Sequence, residues 1–339
     1  EGIHTSDGLV IASGTLEVNA ANTGIKGKDY VDILDGTVTV TASQDGIKAT
    51  NNTDDNRGWV RLSGGTVNIS ADDDGFKAER VLEISGGTLN ITQANEGIEG
   101  QYINILDGTV NVTSSDDGIN ASYSTTSTST ESASTSTMQT AQRNQAAQGN
   151  TGQGNAAQGG QPPAGGGAGG GMGGGTFEVV DATINISGGT VTVNAKGDGI
   201  DSNGTATLSG GTVIVDGPFT GGNTSLDTNG DLLLNGATVT AANSGDMFEA
   251  PSTNSTSGYL KISNVSNLSA GTTVQVTDSS GNVVANYKVT NSSTALIVVS
   301  SSKITKGESY TVYTTTDSVD VSSTTLASNA TLLGSFTAS

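Results

Sequence analysis

The chain has 339 residues and a formal net charge of −20, from 13 Lys plus Arg against 33 Asp plus Glu. Such an acidic chain is repelled by a phosphate backbone, which excludes a nucleic-acid partner and favours divalent cations. Cys is absent, which removes disulfides and thiolate metal sites, and 33% hydrophobic residues with 4% aromatics supply the thin apolar seam of a solenoid better than a conventional globular core.

A short phrase recurs along the chain: an acidic or polar residue, Gly, a large apolar residue and a polar one. It begins as Glu1-Gly2-Ile3-His4, Thr23-Gly24-Ile25-Lys26 and Asp45-Gly46-Ile47-Lys48. It continues as Asp74-Gly75-Phe76-Lys77, Glu96-Gly97-Ile98-Glu99 and Asp117-Gly118-Ile119-Asn120, then resumes at Asp198-Gly199-Ile200-Asp201. Two degraded copies follow at Thr224-Ser225-Leu226-Asp227 and Asp246-Met247-Phe248-Glu249. Steps of 22, 22, 29, 22 and 21 between the first six glycines indicate stacked coils of about 22 residues. The chain opens inside a repeat, at Glu1, so any signal peptide is expected to lie outside this sequence.

Each coil carries three strand signals. The first is the phrase itself. The second is read at Tyr30–Ile33, Trp59–Leu62, Val81–Ile84, Tyr102–Ile105 and Ile184–Ile186. The third follows a Gly turn at Thr66–Ile69, Thr88–Ile91, Thr109–Val112 and Thr190–Val193. Apolar and polar residues alternate in each, so one side is buried. The expected fold is all-β: a right-handed parallel β-helix with rungs ~4.8 Å apart and a small C-terminal β-module. Ile3, Ile25, Ile47, Phe76, Ile98, Ile119, Ile200, Leu226 and Phe248 should form one interior column.

Four segments follow. Residues 1–122 and 176–258 are the two halves of the helix. Residues 123–175, rich in Ser/Thr, then Gln, then Gly, read as a disordered insertion. Residues 259–339 read as a β cap or small β-sandwich covering the last rung's edge. The step of 29 places a loop at Asn51–Asn56. No run of 18 apolar residues occurs, so no helical membrane span is expected, and a monomer is.

Stacking turns each phrase position into a surface column. The last position reads His4, Lys26, Lys48, Lys77, then Glu99, Asn120, Asp201, Asp227, Glu249. Beside it run Glu1, Asp45, Asp74, Glu96, Asp117, Asp198 and Asp246, thickened by Asp72, Asp73 and Asp116. Carboxylates one rung apart repel by ~3 kcal/mol at an effective dielectric of 20. They take up protons or share a cation, and Ca²⁺ at ~2.4 Å from its oxygens can bridge two rungs. One calcium site is expected at Asp116, Asp117, Asp198, Asp201 and Asp227, and a second around Asp45, Asp72, Asp73 and Asp74. The alternative is that each Asp-Gly simply makes a turn. Lys26, Lys48 and Lys77 form either a ladder paired with the acids or a contact for an acidic sugar. Tyr30, Trp59 and Tyr102 share one outward parity, with Arg61 nearby, and offer ring surface for sugars unless they pack under loops. A Thr ladder from Thr15 to Thr212 suggests ice binding, but the neighbouring position is mixed and Thr suits a strand beside a turn. With His4 the single His, the usual nucleophile–base pairs are absent.

The phrases Ser63-Gly64-Gly65-Thr66-Val67-Asn68-Ile69 and Asp74-Gly75-Phe76-Lys77-Ala78 resemble the bacterial secreted carbohydrate-binding β-helix family. The stretch from Gly271-Thr272-Thr273-Val274 to Gly307-Glu308-Ser309-Tyr310-Thr311-Val312 resembles that family's ending. The resemblance spans roughly 1–122 and 176–315. It implies a polysaccharide-lyase-like helix, bound calcium, a secreted or surface-attached location and recognition of cellulose and pectic polymers. The 123–175 insertion and the degraded upper phrases depart from the pattern. Two other readings stay open. In a calcium-dependent pectate lyase, Lys48, Lys77, Arg57 or Arg61 would remove the proton beside a uronate. In a surface adhesin or spacer, the helix would only set distance.

Overall fold

The computed structural model describes residues 1–123, 178–219, 221–263, 265, 268–320 and 322–339. The disordered segment expected at 123–175 lies, apart from Tyr123, outside the described residues.

The described residues contain strands and no helix. Eight coils stack in parallel. The phrase strands are Ile3–Thr5, Ile25–Gly27, Ile47–Ala49, Phe76–Ala78, Ile98–Gly100, Ile119–Ala121, Ile200–Ser202 and Leu226–Thr228, in that spatial order. The second column joins the same 14-stranded sheet, from Gly8–Ile11 and Tyr30–Ile33 up to Leu232–Leu234. In two coils the first two strands fuse, as Phe76–Ile84 and Ile98–Ile105. The third column runs from Thr15–Ala20 to Thr238–Asn243 in a separate sheet.

Register is strict because a one-residue slip would turn every apolar side chain to water. Ile25, Ile47, Phe76, Ile98, Ile119 and Ile200 align and are fully buried, and Leu226 ends the column. Phe248 does not extend it. The ninth phrase forms no strand; Phe248 is half-buried, its ring under the Lys261 ammonium at 3.9 Å and 6.3 Å from Tyr259. The chain leaves the helical path there to start the C-terminal strands.

Two glycine positions explain the repeat. In the phrase, Gly permits close approach of successive coils. A Cβ on Gly97 would lie 2.2 Å from Val112 Cγ1 and 2.5 Å from the carbonyl oxygen of Gly118 on the next coil. Before the third strand, Gly87 turns the chain with φ of 74°, a left-handed conformation that a side chain resists. Ser225 replaces the phrase glycine only where the column ends, so no further phrase strand presses on it.

The exposed edge of Thr238–Asn243 is covered by Leu296–Ser300, antiparallel, and then by Tyr259–Ser263. A four-stranded antiparallel sheet completes the fold in the order Val283–Lys288, Thr273–Thr277, Ser309–Thr315, Thr331–Thr337. Its core includes Val274, Val276, Tyr310 and Val312.

Candidate functional site

Among the described residues the stacked phrases assemble three acidic clusters, each with carboxylate oxygens within 4.8 Å of one another: Asp45/Asp73/Asp74, Asp74/Glu96/Glu99 and Asp117/Asp198/Asp201. Oxygens sharing an ion at ~2.4 Å stand no more than ~4.8 Å apart, so this spacing fits a cation the size of calcium.

Asp117, Asp198 and Asp201 are all buried. The backbone N–H of Asp198 donates to Asp117 Oδ1 at 2.7 Å, and that of Thr224 donates to Asp198 Oδ1 at 2.5 Å. Asp117 and Asp198 are thus each oriented by the coil above. Asp116 lies alongside: a Cβ on Gly197 would meet both Asp117 Oδ1 and Asp116 Oδ1 within 2.5 Å. Asn120 stands in register between Glu99 and Asp201. Its amide donates to Glu96 Oε2 at 3.0 Å, while its Oδ1 is buried without a hydrogen-bond partner. A neutral oxygen left over among carboxylates is the donor type a hard cation recruits. The donor set therefore fits a divalent ion. Asp227 is one rung above Asp201 but outside the triad; it is hydrogen-bonded to Glu249, whose pKa burial and that bond push up to about 8.

The lower clusters carry lysines. Lys77 Nζ stands 2.7 Å from Asp74 Oδ2 and also pairs with Glu99 on the next coil. Lys48 pairs with Asp45, and Lys26 lies 3.5 Å from Glu1. Burial pulls the Lys77 pKa down, but Glu99 and Asp74 outweigh it and hold the pKa above the ordinary lysine value. An ammonium so held resists losing its proton, the reverse of what a lyase base requires. Burial raises Asp74 to about 7 against the pull of Lys77. Burial, then the charges of Glu99, Asp74 and Asp117, raise Glu96 to about 9. Burial and its acidic neighbours also raise Asp73. Asp72 is exposed and accepts from Gln93, outside the clusters.

Glu96 and Glu99 were not among the ligands expected from sequence. They occupy the phrase positions that Asp117 and Asn120 fill one coil above, and that equivalence was the available signal.

On the second column, Tyr30 and Trp59 stack with centroids 4.5 Å apart and planes 4° from parallel. The Arg61 guanidinium lies over the Trp59 ring at 5.0 Å. Its Nε is 3.0 Å from Glu83 Oε1, an ion pair by distance whose N–H is misaligned for a hydrogen bond. Tyr102 is not part of this stack; it pairs in register with Val81 and donates its hydroxyl to Asp181 Oδ2 at 2.6 Å. The 51–58 loop is pinned beside Trp59: Arg57 pairs with Asp29 and Asp54, Asn51 donates to Asp29, and Arg80 pairs with Asp55. With faces turned towards each other, Tyr30 and Trp59 present ring edges rather than an open plane.

No curated protein and no solved structure matches this chain. Residues 1–139, which include the aromatic stack and the two lower acidic clusters, match a family described as carbohydrate-binding domain-containing protein.

Proposed function

We propose that this protein is a non-catalytic, calcium-binding carbohydrate-binding module, secreted or held at a bacterial surface, that recognises plant cell-wall polysaccharide, cellulose or pectin. The observation that carries the reading is the match of residues 1–139 to a carbohydrate-binding family. Half-buried ring edges at Tyr30 and Trp59, with Arg61 and Glu83 beside them, supply apolar surface next to hydrogen-bonding groups, the combination a sugar ring needs. Asp117, Asp198 and Asp201, with Asp116 and the Asn120 oxygen, would hold the calcium. Bound there, the ion neutralises stacked carboxylates and locks adjacent coils.

The test is retention of the intact protein on insoluble cellulose and on pectate gel, with calcium and with chelator. Retention on at least one polymer, weakened by Trp59→Ala, is expected. No retention on either under both conditions would sink the reading and leave a spacer or adhesin.

A further inference from the structure

The outer face of the third sheet runs upward into a cleft of about 500 Å³, walled on one side by Thr212, Ile214 and Thr240 and on the other by the strand Val283–Lys288. That volume falls in the ~300–1,000 Å³ range of small-ligand sites. The Tyr287 hydroxyl donates to Asp216 Oδ1 at 2.6 Å, and both residues are buried, so the two walls are tied together.

The cleft's lining is basic although the chain's net charge is −20. Lys288 and Lys303 line it, both are exposed, and among the described residues neither forms an ion pair. Elsewhere Lys26, Lys48, Lys77, Arg57, Arg61 and Arg80 pair with carboxylates; Lys28, Lys196, Lys261 and Lys306 form no ion pair among the described residues, but none of them lines this cleft. Asp216 is the one acid among the described lining residues, and Tyr287 engages it. A protein with net charge −20 therefore presents two cations of its own in one cavity.

We propose that this cleft is a second glycan site, specific for an anionic oligosaccharide. Its acidic groups meet Lys288 and Lys303, its hydroxyls meet the Thr212 and Thr240 wall, and the apolar faces of its rings lie over Ile214 and Val284. A small inorganic anion would leave the hydroxyl and apolar walls unused. A peptide adding to the edge of Val283–Lys288 is obstructed by the 322–324 segment, where Ser323 O accepts from Asn286 Nδ2 at 2.7 Å. The proposal extends the carbohydrate-binding reading to a site remote in sequence from the matched residues 1–139.

Calorimetric titration of the intact protein tests it, with a short oligogalacturonate, a sulfated oligosaccharide and a neutral cello-oligosaccharide of equal length. At least one anionic ligand should bind where the neutral one does not, and which anion binds identifies the acidic group. Lys288→Gln with Lys303→Gln should weaken binding by on the order of tenfold per lysine. Thr212→Trp, which fills the cleft without changing charge, should also abolish it. Equal binding of the neutral ligand, no binding of either anion, or affinity unchanged in both variants would overturn the proposal. Polymer retention is read separately: if cellulose or pectate still holds the protein, only the cleft is rejected, and if nothing is bound in either assay, both readings fall.

Discussion

Tyr30 lies flat against Trp59, although the 51–58 loop is inserted between their coils. The stack is built from below. A Cβ on Gly8 would fall 2.0 Å from Tyr30 Cζ, so the tyrosine ring rests on a position with no side chain. The pair is worth about 0.5–1.5 kcal/mol beyond the area it buries. Gly8→Ala should push Tyr30 out of parallel. Trp59 is the single Trp in the chain, so its emission reports on this one site. A shifted emission maximum, with weaker polymer retention, is expected; an unchanged spectrum would show that the ring is not seated on Gly8.

Lys77 supplies a positive charge inside an acidic cluster whose oxygens are spaced for a cation. It bridges Asp74 on its own coil and Glu99 on the next. Removing one partner from a buried charge pair costs about 3–5 kcal/mol, mostly from the charges left behind. Lys77→Ala should therefore lower the Tm in chelator, and calcium should restore more of the loss than it adds to the unaltered protein. Equal calcium increments in both proteins would show that the ammonium does not take an ion's place.

The phrase glycine is required only where another coil stacks above it. Gly97→Ala forces a methyl into the carbonyl of Gly118 and into Val112, and should cost several times the roughly 1–3 kcal/mol of ordinary overpacking, or prevent folding. Ser225→Ala, at the equivalent position of the last coil, should be neutral or slightly stabilising, because the Ser225 hydroxyl is buried with no hydrogen-bond partner. Matching losses from the two substitutions, read by denaturant melts, would refute this account.

The period of the phrase made the coils and their register legible, because a fixed spacing of alternating apolar residues admits one stacking. That placed Ile47, Phe76 and Ile98 in one column and brought Asp117, Asp198 and Asp201 together. Side-chain direction between coils was not legible. Whether Lys77 turns to its own Asp74 or to Glu99 as well depends on rotamers that the period does not encode. Nor does the period reveal that Tyr30 uses the empty space over Gly8, or that Phe248 leaves the column to meet Lys261. The cleft beside Lys288 depends on how an aperiodic segment folds back on the third sheet, so no repeat signalled it.

The stacked acids also fix the sign of the pH dependence. Burial and the neighbouring charges of Glu99, Asp74 and Asp117 hold the Glu96 pKa at about 9, against an ordinary value of 4.5, and burial holds Asp74 at about 7, against 3.8. Between the ordinary and raised values the folded protein keeps protons that the unfolded chain has lost. Stability must then fall as pH rises through that interval, since it drops with pH wherever the native state binds more protons. In chelator the Tm should decline from about pH 5 to about pH 9, the window those two shifts define. Calcium, if it occupies the Asp117/Asp198/Asp201 cluster as proposed, would offset the Asp117 charge that helps to raise Glu96 and should flatten the decline. Scanning Tm against pH with and without calcium reads both effects. A chelated protein more stable at pH 9 than at pH 5 would mean that Glu96 and Asp74 are ionised in the native state and that some other charge, not a shared proton, keeps the coils together.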